Sequence, residues 1–525
     1  MSQTELTLEQ IQTFESKYPK QLWNLFMIEM WERFCFYGMR GMLTVFMTKQ
    51  LLLDDKAANL QYGAIQAFVY AFTFIGGLFA DKILGLRKSL VWGAILMIIG
   101  GFTIAISPEK LFYLGICFSI VGTGFFKPNV SSMVGQLYKE GDSRRDAGFS
   151  LFYAGINLGA MLGGILMIWV GKEYSWSAAF ALVGVVMILS LITLWLTKHN
   201  LGPIGLSPLA ESPKRQPLEI GTYLGSIAVI PVIWLLVTNT TYTDLVMYLA
   251  APLALLWIFH EISKIDDAAT IKKLLAALVF IVFSVFFWAF FEQSGGSLSL
   301  FAESNLHSSL LGIEFGDKPI ANAVNNSSNS VFVILFAAPV GLLWVWLASR
   351  KLEPNSVIKF GISFLLLGAG FYVMYSTIGF ADKDGKTSLN VFTFAWLVLT
   401  FAELCLSPIG LSLMTKLSPQ KMQGLMMGMW FLASAYGQYI AGILGAAMSV
   451  SAEEKDATNL DKLVSYTNGY YQLAVYALVL GVVLMLSPVV RRYMSEVMAT
   501  EVGNPPASQR ISERIAPMID SLDGY

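Results

Sequence analysis

The sequence predicts an all-α integral membrane protein, and three observations predict it. Hydrophobic residues make up 55% of the 525-residue chain and charged residues only 14%, against about 25% charged in soluble domains. Mean hydropathy is +0.60. Apolar runs long enough to cross a bilayer, which takes about 20 residues, recur from one end to the other. A chain so poor in polar residues cannot coat the roughly three or four soluble domains its length would suggest, so the apolar surplus faces lipid. The net charge is −1 and no long basic run occurs, which excludes nucleic acid as a partner. Cys35, Cys117 and Cys405 fall in apolar stretches without pairing or metal-ligand spacing, which excludes a disulfide frame and a zinc site. Residues 1–20 are polar, and the first apolar run is too long and too charged for a cleaved signal peptide.

Read in order, spans are expected near 22–52, 61–84, 88–107, 111–134, 148–171 and 175–197, then near 221–238 and 243–262. They continue near 271–302, 323–349, 356–380, 389–417, 421–449 and 468–490, fourteen in all. The ninth should be interrupted at Ser294-Gly295-Gly296, because adjacent glycines weaken a helix. Alternate short loops carry Lys82-Arg87-Lys88, Lys139-Arg144-Arg145, Lys264-Lys272-Lys273, Arg350-Lys351-Lys359, Lys416-Lys421 and Arg491-Arg492, while the loops between them are acidic or balanced. The positive-inside rule then puts both termini in the cytoplasm.

The Pro-rich stretch 198–220 reads as a cytoplasmic linker. The expected organisation is a six-helix bundle over 1–197, the linker, two inserted helices over 221–262, a second six-helix bundle over 263–492 and a cytoplasmic tail over 493–525. Six plus six is the plan of transporters whose halves rock around a site near the membrane midplane.

Charged residues inside the spans mark that site. The first span contains Glu29, Glu32, Arg33 and Arg40, each of which costs about 2.5–3.5 kcal/mol at a helix centre. They must therefore face protein or water and pair. Glu29 and Arg33 are i,i+4 neighbours, and Arg33, Tyr37 and Arg40 share a stripe. Lys127, Glu292 and Glu403 are isolated charges in later spans. The N-terminal half thus contributes Arg33, Arg40 and Lys127, and the C-terminal half only carboxylates. A chamber lined by the two halves, positive on one wall and negative on the other, suits a zwitterion. A carboxylate beside a movable cation can also take up a proton when the pair opens. Glu29 and Glu32 are the first candidates, with Glu292 and Glu403 behind them. His199, His260 and His307 sit at linker or span-end positions.

These stretches resemble the proton-dependent oligopeptide transporter (POT/PTR) family of the major facilitator superfamily, in its bacterial form with two extra helices. EMWERFCFYGMR is similar to the family's ExxERFxYYGMR, with Phe36 in place of the usual second tyrosine, which removes one hydroxyl from the expected site. FYAGINLGAMLGG resembles FYxxINxGS and supplies Tyr153 and Asn157, its Gly155, Gly159 and Gly163 reading first as close helix packing. AELCLSPIGLSL resembles GELxxSPxGL and supplies Glu403 and Ser407; FKPN supplies Lys127, and WAFFEQ supplies Trp288 and Glu292. SSNSVF places Asn329 in an NPxF-like motif with Ser330 replacing proline, and MGMWFLASAYGQ places Trp430. GGLFADKILGLRKS resembles the superfamily's second–third loop motif, with Gly77, Asp81, Lys82, Arg87 and Lys88 as a conformational latch.

The resemblance implies a major facilitator fold and import of di- and tripeptides with protons. Arg33 and Lys127 would take the peptide carboxylate near proton-titrating Glu32, while Asn157, Asn329 and Glu403 would take the amino end. Tyr37, Tyr70, Tyr153, Trp288 and Trp430 would line side-chain pockets, and Ser407 would belong to the same site. Arg40 with Glu292, and Lys127 with Glu403, would act as gating pairs. It implies no enzymatic activity, no cofactor beyond the coupling proton, a multi-pass place in the cell inner membrane with the bilayer as partner, and a monomer sufficient for transport. Relatives in plants carry nitrate and hormones, so cargo other than peptides stays open at this level.

Overall fold

The computed structural model describes residues 6–139, 141–142, 144–419, 422–450 and 457–486, without the side chains at 407–413, 415–416 and 423–424. Ser407's side chain, the expected tail over 493–525 and Arg491-Arg492 therefore lie outside the described residues. The short helix α1 (Leu8–Gln12) opens on a capping box in which Thr7 Oγ1 accepts from the Gln10 amide and the Gln10 side chain accepts from the Thr7 amide. The first half follows as α2 (Lys20–Lys49), α3 (Asp55–Phe79), α4 (Leu86–Ile106), α5 (Pro108–Gln136), α6 (Arg145–Glu173) and α7 (Trp176–Thr197). Asp54 and Ser175 cap the exposed amides of α3 and α7, and Pro108 starts α5 where no amide partner is needed.

The inserted segment forms α8 (Arg215–Ala228), α9 (Ile230–Thr238) and α10 (Thr240–Ile262); α8 and α9 make one span interrupted just before Pro231. The second half comprises α11 (Ala268–Phe291), α12 (Ser297–Asn305), α13 (Ile320–Ser349), α14 (Ser356–Ser376), α15 (Leu389–Leu417), α16 (Gln423–Met448) and α17 (Asn459–Leu486). A 3-10 turn, Glu292–Gly295, separates α11 from α12, so the expected interruption is present. The strands among the described residues are β1 (Ser309–Leu310) and β2 (Ile313–Glu314), which form a hairpin. Its turn residues Leu311 and Gly312 both have positive φ, the geometry of a tight hairpin turn.

Thirteen helical segments among the described residues are long and apolar enough to cross a membrane. The fourteenth is α2, whose internal charges lower its hydropathy. The last span begins at Asn459, well before the expected 468, because Thr458 and Asp461 exchange hydrogen bonds at its start. Lys462 and Tyr466 then bind Asp55 of α3 at 3.0 and 3.2 Å.

The apolar core divides in two. One cluster runs from Ile11 to Val237 and the other from Ile258 to Leu484. A third, small cluster joins Ala67, Met247 and Tyr439, one from each half and one from the insertion. Within the first half, Gly159 and Gly163 of α6 lie against the backbone carbonyls of Met30 and Phe34, the close packing their spacing implies. The halves meet along α3 with α16, α6 with α13, and α2 with the broken turn at 292–296.

Ion pairs across this seam among the described residues lie toward the end where α2 finishes and α3 begins. They are Arg40–Glu292, Lys172–Glu303, Lys318–Glu173, Lys49–Glu303 (3.9 Å) and Lys462–Asp55 (3.0 Å). Lys386 borders the Lys172–Glu303 pair, and burial holds its ammonium below the usual lysine range. The molecule is closed on this face.

Candidate functional site

A cavity of about 110 Å³ lies on the seam between the halves. The first half contributes Tyr37 and Arg40 from α2 and Tyr70 from α3. The second half contributes Trp288, Phe291, Glu292 and Ser294 from the broken span, Asn325, Asn326, Asn329 and Ser330 from α13, and Trp396 and Glu403 from α15. Seven residues singled out from sequence therefore share one void: Tyr37, Arg40, Tyr70, Trp288, Glu292, Asn329 and Glu403.

Arg40 spans the void at one end. Its guanidinium pairs with Glu292 of the opposite half and donates to Tyr62 Oη at 2.8 Å and to Ser294 Oγ at 2.7 Å. Arg40 and Glu292 are both buried, which makes leaving either unpaired costly. Glu403 accepts from Asn329 Nδ2 at 2.7 Å, and the same amide reaches Thr400 Oγ1 at 3.3 Å.

Behind this wall lies a second charged group. Arg33 Nε is 2.9 Å from Glu29 Oε1 and 2.7 Å from Glu32 Oε2, with all three residues no more than 3% exposed. Arg33 Nη2, Glu29 Oε2 and both Glu32 oxygens lack a well-aligned hydrogen-bond partner, so the group has spare donor and acceptor capacity. The Lys127 ammonium lies 4.0 Å from the ring centre of Tyr70 and 5.0 Å from that of Phe36, and the Arg33 guanidinium is 5.6 Å from Phe36. The phenylalanine that replaces the family's tyrosine is thus an aromatic partner to two cations.

The structure differs here from the expected chamber with Arg33 and Lys127 on its wall. Tyr70 lines the void, Lys127 lies against its ring, both cations lie against that of Phe36, and among the described residues Arg40 alone supplies positive charge to the void. The pairing of Lys127 with Glu403 is not made. Glu403 is occupied by Asn329, and among the described residues Lys127 has aromatic rings, not a carboxylate, within pairing distance.

Other expected residues are placed as follows. Asn157 donates to the Tyr153 carbonyl of its own helix at 3.0 Å and is buried. Trp430 packs in the apolar core of the second half. None of these three borders the void in this conformation.

The loop motif turns through a π-helical turn, Ala80–Leu84, and Gly85 at φ +76°, where a side chain would collide with the backbone of Leu206 and Ser207. Its basic residues fasten the linker and the insertion. Arg87 donates to the Gly202 carbonyl at 2.5 Å, and Lys88 reaches both Glu219 oxygens at 2.7 Å. Gly77 faces Pro128 of α5, while Asp81 and Lys82 are exposed.

Sequence reasoning missed Ser294, Asn325, Asn326 and Trp396. A signal for the asparagines was present. Asn322, Asn325, Asn326 and Asn329 fall at i, i+3, i+4 and i+7, one face of α13.

The fold is that of a multi-span helical membrane protein with a cavity on the seam between its two apolar cores, the plan of rocking transporters. The family model described as "POT family" matches residues 87–460. This chain belongs to the POT family, a family of membrane transporters rather than enzymes, and is a multi-pass protein of the inner membrane. It is 35% identical over 470 residues to the peptide transporter YePEPT of Yersinia enterocolitica, covering 84% of this chain and 89% of that one. It is 30% identical over 478 residues to dipeptide and tripeptide permease B of Aeromonas hydrophila, covering 89% and 92%. A crystal structure of a peptide transporter POT in complex with sulfate superposes with a TM-score of 0.79 at 30% identity, covering 93% of this chain and 99% of that one. A tetrameric crystal form of PepTSo2 gives 0.78 at 27% identity, covering 90% and 99%.

Proposed function

We propose that this protein is a proton-coupled symporter that imports di- and tripeptides by alternating access. The observation that carries the reading is one void bounded by Arg40 from one half and by Glu292, Asn329 and Glu403 from the other, in a chain whose relatives are named as peptide permeases. A peptide is a zwitterion, and a site made of two oppositely charged halves holds it by its ends. Recognition by the termini leaves the side chains loosely specified, which suits a broad range of peptides.

Asn329 and Glu403 receive the amino end, with Asn157 reaching it when the halves rearrange. Arg33 and Lys127 receive the carboxylate. In the conformation described, Arg33 is held by Glu29 and Glu32, and Lys127 rests on Tyr70. Proton uptake at Glu32 removes one of the two carboxylates from Arg33, and a small turn of the Tyr70 ring then opens both cations to the void. Coupling follows, because the carboxylate of the peptide and the carboxylate of Glu32 compete for one guanidinium. No cofactor is needed beyond the proton, and one copy of the chain carries every group this cycle uses. With both termini in the cytoplasm, the closed face is the outer one and the conformation is inward-facing. Residues 1–197 and 263–492 are the rocking halves, with 198–220 as linker and 221–262 as insertion.

The test is uptake of a labelled dipeptide into proteoliposomes under an imposed pH gradient, with a terminally blocked dipeptide and nitrate as competitors. Concentrative, ionophore-sensitive uptake displaced by free dipeptides alone is the expected result. Displacement by nitrate, or uptake indifferent to the gradient, would overturn the reading.

A further inference from the structure

The break in the ninth span leaves backbone groups without helical partners, and their new partners are specific. The Ser294 carbonyl accepts from Asn325 Nδ2 at 2.8 Å and from Ser299 Oγ at 2.8 Å, both in its own half. The Gly295 carbonyl accepts from Thr44 Oγ1 of α2, in the other half, at 2.8 Å. Asn325 is 1% exposed, and its carbonyl oxygen accepts from Trp396 Nε1 at 3.3 Å. The turn is also pressed against the first half: side chains at Gly295 and Gly296 would strike the Tyr62 hydroxyl and Asn59 Oδ1.

Arg40 bonds to this same turn through Glu292 and Ser294 Oγ. One Glu292 oxygen, Ser294 Oγ and the Gly295 carbonyl are thus taken by Arg40 and Thr44, and the Ser294 carbonyl by Asn325 and Ser299. A single 3-10 turn has few hydrogen bonds of its own to fix its shape. Its geometry is set by whatever satisfies its carbonyls.

We propose that residues 292–296 form a docking knuckle seated by Thr44 of the opposite half and by Asn325 of its own, and that Thr44 and Asn325 are positioning residues for the Arg40–Glu292 pair. They hold the carboxylate where the guanidinium meets it and so favour the face-closed state. The inference rests on the alternating-access reading above and extends it to two residues outside the charged set.

The experiment measures distances between spin labels at Leu52 and Leu311, which are 82% and 84% exposed in loops of the closed face, one in each half. Measurements use the full-length protein in nanodiscs, without peptide or gradient, so a failure of peptide transport would leave this result standing. Asn325→Ala and Thr44→Val are each made alone and with Glu292→Gln; Thr44→Val preserves shape and serves should Asn325→Ala not fold. Each single variant is expected to raise the ratio of open to closed distances about fivefold, the effect of one lost hydrogen bond. In the Glu292→Gln background the same changes are expected to add less than about twofold, because coupled residues are not additive. Unchanged distances in the single variants, or a full fivefold step on top of Glu292→Gln, would overturn the proposal.

Discussion

At the scale of single residues, the proposed cycle turns on buried charges that share partners. Arg33 touches two carboxylates, and Glu32 is fully buried beside it. Glu32→Gln keeps the shape and removes the proton site. Gradient-driven accumulation of dipeptide should then fall to the equilibrium level while peptide-for-peptide exchange persists. Wild-type accumulation in that variant would remove Glu32 from the coupling role. Phe36 makes a second case. Its ring serves both Lys127 and Arg33, so Phe36→Leu should cost about 0.5–2 kcal/mol through lost cation–π contact, seen as a lower Tm in detergent. The charged residues were legible from sequence because a charge inside a span has few bland explanations. Aromatic residues were less so. Tyr37, Tyr70 and Trp288 border the void whereas Trp430 packs in the core, and nothing in composition distinguishes a tryptophan that lines a cavity from one that fills it.

At the scale of elements, helix positions followed from apolar length, and the break at 294–296 followed from its glycines. The early start of α17 escaped because Asn459–Tyr466 is polar by composition. Its helicity comes from the Thr458–Asp461 cap and from Asp55, a partner far away in sequence. Contacts between elements were also invisible. Gly63 of α3 and Gly442 of α16 approach so closely that a β-carbon on Gly63 would sit 2.7 Å from Gly442 Cα. Neither glycine belongs to a motif read from the sequence, yet together they let α3 and α16 pack this closely. Gly442→Leu should therefore hold this face open. A maleimide that cannot cross the membrane should label a cysteine introduced at Asn59 at least several times faster in that variant, and equal rates in both backgrounds would contradict the close approach as a requirement for closure.

At the scale of the whole molecule, two bundles with separate cores meet along a seam of polar contacts, close glycines and one small apolar cluster. Cores that do not merge allow the halves to move as bodies. The outer ion pairs are partly exposed, so each contributes at most about 1 kcal/mol and weakens with salt. Glu303 is their hub, meeting Lys172, Lys49 and Asn322. Glu303→Gln should open the closed face by no more than about fivefold at low salt and by less at 1 M salt; a larger, salt-independent effect would mean that the outer cluster, not the central cavity, governs closure. The inserted helices touch both halves, with Trp92 donating to Ser226 at 2.9 Å and Tyr439 to Asp244 at 2.5 Å. Their existence was legible from span count, but their place against α3, α5 and α16 was not, because Asp244 in the sequence does not say which helix supplies its donor.

The central claim is that one terminus of a peptide is read by the carboxylate of Glu403 and the other by the cations of the opposite half. It is tested most directly by competition for uptake between a free dipeptide and its amino-acetylated form, in wild type and in Glu403→Gln. The account predicts that wild type favours the free form by about tenfold or more, the worth of a hydrogen bond to a charged group, and that the variant loses most of that preference. A Glu403→Gln protein that weakens both competitors equally, with the preference intact, would contradict it.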